Sequence, residues 1–94
     1  MEPVLKNEDE AYVFIGQRIR LMRQVYGVSQ QRLGQALGVS FQQVQKYENG
    51  ANRVPVVTLL AIAKTFGIGI IHFLPSHSQL EFVKEKDFWW AGGW

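Results

Sequence analysis

The sequence of 94 residues contains no cysteine and only two histidines. The absence of cysteine excludes a disulfide framework, thiolate metal sites and thiol catalysis. The two histidines, His72 and His77, lie on either side of Pro75 with no cluster of acids or nucleophiles around them, and a metal site would need more ligands. We therefore expect a protein that is not an enzyme and that binds no metal or cofactor.

Long apolar runs are also missing. No stretch approaches the roughly 18 consecutive apolar residues that a membrane span requires. The first ten residues are acidic and polar, which is unlike a signal peptide. A chain of this length has room for one compact core. We expect a single globular domain that lies in the cytoplasm and does not bind a membrane.

Acidic side chains are almost absent from the middle of the chain. Residues 11–80 carry seven lysines and arginines against the single carboxylate of Glu48, which gives a net charge of +6. Residues 1–10 and 81–94 carry net charges of −3 and −1. A basic domain attracts polyanions through electrostatic steering and counterion release. An ordinary solvated surface is the alternative explanation of the same charge pattern.

Apolar periodicity and helix-terminal residues predict an all-α fold. Glycine follows each of the first four predicted helices, and serine precedes the second and the third, as is typical of helix ends and starts. The five predicted helices span residues 11–26, 30–37, 41–49, 55–66 and 70–74. We expect an acidic N-terminal arm over 1–10, a domain over 11–75, and an aromatic C-terminal tail over 76–94.

The second and third predicted helices meet across the tight turn Gly38-Val39-Ser40. Glycine permits a left-handed turn that a side chain would resist. The turn sets the later helix steeply across the earlier one, so that Leu33 and Val44 share a small core. The outer face of the later helix is then free to enter a DNA major groove.

This outer face carries amides and a lysine. With Val44 inward, a step of about 100° per residue places Gln42, Lys46 and Asn49 on the outside. Glutamine can pair with adenine, and lysine can reach guanine or a phosphate. Glutamine is also a common solvated helix residue, but here the amides coincide with the outward face. We therefore predict that these side chains contact DNA.

Three neighbouring side chains are open to two interpretations. Gln43 and Gln45 lie on the flanks of the helix, where base contact and solvation explain them equally well. Phe41, in the first turn, suits either contact with a thymine methyl group or packing against the preceding helix. The periodicity does not decide between these alternatives.

Several polar residues are suited to DNA phosphates. Gln30 opens the second helix, where backbone N–H groups and the helix dipole favour an anion. Ser29 and Ser40 are primarily helix caps, with phosphate contact as a second role. Asn52 and Arg53 follow the third helix in a loop and suit backbone binding, although asparagine is also a common turn residue.

Glu48 is the one acid in the basic middle, and an unpaired carboxylate beside a DNA-binding surface would repel phosphate. A structural partner explains its presence, and Arg23 of the first helix is the best candidate. We predict an Arg23–Glu48 ion pair that fixes the first helix against the third. A solvated Glu48 is the alternative.

The run SQQRLGQALGVSFQQVQKYENGANRVP resembles the Cro and phage-repressor type of helix-turn-helix, also called the xenobiotic-response-element family. The resemblance covers roughly residues 13–74, with the glycines, caps and apolar positions in register. The segment VSFQQVQKYENG is similar to a subgroup of alphaproteobacterial regulators. The family often adds a further domain after this region, which the nineteen residues of the tail cannot form.

The resemblance implies a five-helix, lambda-repressor-like domain that binds pseudo-palindromic double-stranded DNA as a homodimer. It implies that bases are contacted by Phe41, Gln42, Gln43 and Lys46. It implies phosphate contacts at Gln30, Asn49, Asn52 and Arg53. The family also commonly pairs an arginine of the first helix with a glutamate of the third, which matches Arg23 and Glu48.

The predicted function is that of a sequence-specific transcriptional regulator, in particular a repressor. The alternative is an antitoxin or interaction module whose tail binds a partner protein. Trp89, Trp90 and Trp94 in the tail could supply a dimer contact, because exposed aromatic clusters are usually buried somewhere. Packing onto the same monomer and a disordered chain end are equally open.

Overall fold

The computed structural model describes residues 2–83 as a helical domain. Its elements in chain order are α1 (Glu8–Val25), α2 (Gln30–Leu37), α3 (Phe41–Glu48), α4 (Val56–Phe66) and two 3₁₀ helices, Ile70–Phe73 and His77–Gln79. Within this range the one β-type pairing is an isolated parallel bridge between Leu5 and Leu80. The prediction of an all-α fold is confirmed, and its fifth helix is a 3₁₀ helix.

The first helix begins earlier than predicted. It starts at Glu8 and not at residue 11, so the end of the expected acidic arm is helical. The side chain of Asn7 caps this end by accepting a hydrogen bond from the Glu10 backbone N–H at 2.9 Å. The carboxylates of Glu8, Asp9 and Glu10 lie in the first turn, where the helix dipole favours negative charge. Apolar periodicity missed this turn because it is entirely polar.

The turn between α2 and α3 has the geometry that the sequence predicts. Gly38 has a φ of 72°, in the left-handed region that favours glycine. The hydroxyl of Ser40 caps α3 by accepting a hydrogen bond from the Gln43 backbone N–H at 3.1 Å. α3 ends at Glu48, one residue before the predicted end, and Asn49 is its C-terminal cap.

A single apolar core joins the four α-helices. Its fully buried side chains come from α1, α2, α3, α4 and the first 3₁₀ helix, and they are Ile19, Leu33, Val44, Ile62 and Phe73. At about 25 cal/mol per Å² of buried apolar surface, such side chains supply most of the stabilisation of a small domain. The core therefore joins α3 to α1 and α2 to α4, and the first 3₁₀ helix packs against both α1 and α4.

α4 is the most apolar of the helices. It begins at Val56, with Pro55 as its N-cap residue and not, as predicted, its first helical residue. Among residues 2–83, no single helix has both the length and the apolar composition of a membrane span. α4 and the segment Ile70–Gln79 satisfy these criteria only together, as a pair bent by 110°.

The two ends of the described chain lie side by side. The backbone N–H of Leu5 donates to the Gln79 carbonyl at 2.8 Å, and the Gln79 side chain donates to the Pro3 carbonyl at 3.0 Å. Leu5 and Gln79 are both buried. The start of the predicted tail thus packs on the N-terminal segment. The tryptophans at 89, 90 and 94, proposed for dimer contact, lie outside the described residues.

Gly16 allows α1 to approach the end of α3 at backbone distance. A Cβ atom at this position would collide with the Tyr47 carbonyl oxygen and would lie 2.6 Å from the Glu48 carbonyl oxygen. Backbone atoms cannot move aside as the end of a flexible side chain can. The spacing of α1 and α3 therefore requires a residue without a side chain at this position.

We expect Gly16→Ala to destabilise the domain, because overpacking typically costs about 1–3 kcal/mol, more than the helix propensity that alanine gains. For a domain of this size the melting temperature would fall by roughly 4–8 °C for each kcal/mol. Gly69→Ala is the matched control, since its Cβ would meet only the Ile71 side chain at an ordinary 3.7 Å. Equal melting temperatures for the two variants in circular dichroism would contradict this account.

Candidate nucleic-acid interface

The outer face of α3 presents the side chains predicted to contact bases. Gln42 and Lys46 are exposed, Phe41 is 44% exposed and Gln43 is half-buried. Val44 and Glu48 occupy the opposite, buried face. Within residues 2–83, the side chains of Gln42 and Lys46 form no hydrogen bond to protein. These two groups are therefore available to an external partner.

A buried ion pair fixes α3 against α1. The Arg23 guanidinium donates from Nε to Glu48 Oε2 at 2.7 Å and from Nη2 to Glu48 Oε1 at 3.1 Å. The side chains of Arg23 and Glu48 are only 12% and 4% exposed. The third arginine nitrogen, Nη1, donates to the Val28 carbonyl at 3.0 Å. The structure thus brings together the two residues that the sequence analysis paired, in a bidentate geometry.

Gln30 extends this network from α2 to α3. Its Nε2 donates to Glu48 Oε1 at 3.1 Å, and its Oε1 accepts from Gln45 Nε2 at 3.1 Å. The amide predicted to hold a phosphate is therefore bonded at both ends to α3. Gln45, which was open to two interpretations, links the two helices in this structure. One N–H of the Gln30 amide and the backbone N–H at the start of α2 remain to face an anion.

A polar groove of ≈ 410 Å³ lies between α1 and this network. It contains Gln30 and Asn49, both predicted phosphate ligands, and also Gln17 and Arg20 of α1. Gln17 and Arg20 were not predicted from the sequence. Their spacing could have revealed them, because residues 17, 20 and 23 are three apart and share one face of a helix. Arg20 gives the groove a positive charge that is separate from the ion-paired Arg23.

The remaining predicted phosphate ligands lie at helix ends and in the loop after α3. The hydroxyls of Ser29 and Ser40 cap α2 and α3, accept hydrogen bonds there and keep their protons free to donate. Asn49 Oδ1 accepts from the Ala51 backbone N–H at 2.8 Å and so shapes the turn. Asn52 is exposed, with its backbone N–H bonded to the Lys46 carbonyl at 3.1 Å.

Arg53 binds protein carboxylates that the sequence analysis did not foresee. Its Nη1 lies 2.9 Å from Glu8 Oε2, and its Nη2 lies 2.9 Å from Asp9 Oδ1. The guanidinium carbon also lies 5.2 Å from the centre of the Tyr12 ring. The hydrogen bonds to Asp9 and then Glu8 raise the pKa of Arg53 above its ordinary value. Arg53, which was predicted to bind a phosphate, is thus paired with carboxylates of the first turn of α1.

The helix-turn-helix arrangement is shared with known proteins. A family model described as helix-turn-helix matches residues 19–73. The chain is 44% identical over 61 residues to an uncharacterized HTH-type transcriptional regulator of Sinorhizobium medicae, covering 65% of this chain and 44% of that protein. It is 49% identical over 59 residues to an uncharacterized HTH-type transcriptional regulator of Sinorhizobium fredii, covering 63% of this chain and 41% of that protein. The chain thus spans less than half the length of these two relatives.

Solved structures share the fold. The restriction-modification controller protein C.AhdI from Aeromonas hydrophila superposes with a TM-score of 0.68 and 28% identity, over 72% of this chain and 99% of that one. The DNA-binding domain of BldD superposes with a TM-score of 0.65 and 25% sequence identity, over 71% of this chain and 97% of that one. Hydroxypropylphosphonic acid epoxidase from S. wedmorenis matches over 35% of its chain at 23% identity. This similarity shows a shared fold and nothing about activity.

Removal of the buried carboxylate of Glu48 should lower the stability of the domain. Glu48→Ala leaves the Arg23 guanidinium and the Gln30 amide without their partner, and breaking a buried ion pair costs roughly 3 kcal/mol. We expect a clearly lower melting temperature in circular dichroism. Glu81→Ala, which removes an exposed carboxylate, serves as the control. An unchanged melting curve for Glu48→Ala would show that the pair does not stabilise the fold.

Proposed function

The chain belongs to the helix-turn-helix family of the Cro and phage-repressor type, and on this premise we propose that it regulates transcription by binding a specific DNA sequence. The observation that carries the proposal is the exposed polar face of α3, held in position by a buried ion pair behind it. We propose further that it acts as a repressor in the cytoplasm, where occupation of an operator excludes the transcription machinery.

α3 would enter the major groove and read bases with its outer face. The amide of Gln42 can form a bidentate pair with adenine, and Lys46 can reach guanine. Phe41, nearly half exposed at the start of the helix, is suited to a thymine methyl group. Gln43 is half-buried and would contribute from the flank.

Phosphate contacts on both sides of α3 would set its orientation on the duplex. The N-terminal ends of α2 and α3 offer backbone N–H groups together with the hydroxyls of Ser29 and Ser40. Asn49 and Asn52 would bind the sugar–phosphate backbone of the DNA near the C-terminal end of α3. Arg20 lines the groove beside Asn49 and would supply a positive charge to the same strand.

We propose that the protein binds as a homodimer to a pseudo-palindromic site. Two α3 helices would then lie about 34 Å apart, one turn of the duplex. Exposed apolar side chains on α4 and beyond it favour self-association, because such side chains are usually covered. They are Val56, Val57, Leu60, Ile71 and Leu74. Size-exclusion chromatography with light scattering, with and without DNA, measures this directly.

Selection of bound sequences from a random duplex pool tests the proposal as a whole. We expect a recurring motif with two-fold symmetry. On that motif, Gln42→Ala should cost roughly 1–3 kcal/mol of binding free energy and relax the preference at one position in each half-site. Gln35→Ala, which removes an exposed glutamine of α2, should change neither quantity. A pool that yields no motif would refute the proposal, and unchanged binding by Gln42→Ala would refute the assigned role of this residue.

Arg20→Gln should weaken binding to all sequences alike, since a phosphate contact carries no base information. The slope of log affinity against log salt concentration should become shallower by about 0.9 for each protomer of the dimer. Arg20→Lys should restore most of the affinity. Lys64→Gln, an equal loss of charge in the last turn of α4, is the control. If Arg20→Gln and Lys64→Gln gave the same slope, the groove would not be a phosphate site.

A further inference from the structure

Arg53 stands where the proposed function needs a phosphate ligand, yet two carboxylates already hold it. Glu8 and Asp9 each contact a different terminal nitrogen of its guanidinium at 2.9 Å. Two oxygens thus face the arginine fork side by side. A DNA phosphate offers arginine the same bidentate arrangement. The acidic turn and a phosphate are therefore alternative partners for one guanidinium.

All three side chains can exchange partners. Arg53 is 52% exposed, and Glu8 and Asp9 are 65% and 85% exposed. Exposed ion pairs are weak because water competes with them and salt screens them. A polyanion, which concentrates many phosphates at one surface, can displace such carboxylates. The contact is strong enough to occupy the arginine and weak enough to be reversed.

The acidic turn is also built to hold its position. It is the first turn of α1, capped by Asn7, so the two carboxylates are fixed by helical backbone and not by a loose chain end. Tyr12, one turn further along α1, places its ring 5.2 Å from the guanidinium carbon. A cation–π contact of this kind keeps the arginine over α1. An arginine stays protonated in proteins, so Arg53 leaves by displacement and not by losing its proton.

We propose that Glu8 and Asp9 act as an internal substitute for a DNA phosphate, so that DNA must displace them before it can engage Arg53. This inference rests on the proposed DNA-binding function. Its effect is an autoinhibitory contact that lowers affinity for DNA in general. The same cost leaves random DNA, which offers few other contacts, largely unbound, while a cognate site that also engages α3 stays bound.

A double-mutant cycle tests this contact. The variants are E8Q/D9N, R53Q and the combination of all three changes, with wild type as reference. The probe is a short fluorescein-labelled duplex of mixed sequence, and binding is followed by fluorescence anisotropy over a range of salt concentrations. Thermal melting of each variant verifies folding, and the single variants E8Q and D9N replace the double variant if it melts early.

We expect E8Q/D9N to bind the duplex about threefold to tenfold more tightly, as expected for the loss of two exposed ion pairs. The advantage of E8Q/D9N over wild type should shrink as the salt concentration rises, because salt screens the exposed ion pairs that inhibit the wild type. In the R53Q background the same two changes should have little effect. This coupling identifies displacement from Arg53 as the cause.

The control for charge alone is E2Q/E81Q, which removes two carboxylates that do not contact Arg53. Equal tightening by this control, or tightening by E8Q/D9N that persists in the R53Q background, would overturn the proposal. So would the absence of any change in E8Q/D9N. If wild type binds the duplex and Lys46→Gln weakens that binding while the cycle shows no coupling, only the autoinhibitory contact is refuted. If wild type does not bind DNA, both it and the proposed function are refuted.

Discussion

The arrangement of the helix-turn-helix depends on one buried carboxylate. Glu48 is the single acid among residues 11–80, and it is bonded by Arg23 of α1 and Gln30 of α2 while it belongs to α3. Burial of a charge is costly unless its partners satisfy it, and here three donor atoms from two other helices do so. The geometry of three helices is therefore specified at one point, directly behind the proposed DNA-binding face.

Much of this fold could be predicted from the sequence because its signals are local. The caps Ser29 and Ser40, the glycine turn at Gly38 and the inward position of Val44 all depend on neighbours within one helical turn. The Arg23–Glu48 contact could be inferred for a different reason. A lone acid in a basic domain favours a structural partner, and the family resemblance also pairs an arginine of the first helix with a glutamate of the third.

What the sequence did not reveal depends on distant parts of the chain. The close approach at Gly16 results from the crossing of two helices, and nothing in a local pattern marks it. Arg53 and Asp9 are 44 positions apart, so their contact exists only after the chain has folded. Gln30 and Gln45 link α2 to α3, and this could not be predicted from the sequence. A glutamine at these positions is equally compatible with contact to DNA and with contact to another amide.

The position of Gly16 against the end of α3 has a consequence for how such a domain can change. The depth at which α3 lies on α1 is determined by backbone carbonyls and a missing side chain, and not by the residues on the opposite face of α3. Substitutions at Gln42, Gln43 or Lys46, the proposed base contacts, would therefore leave the tilt of the helix unchanged. If the proposed function holds, the part that would recognise a sequence is separate from the part that supports it, so that exchange of a few side chains on an unchanged scaffold would give a new target.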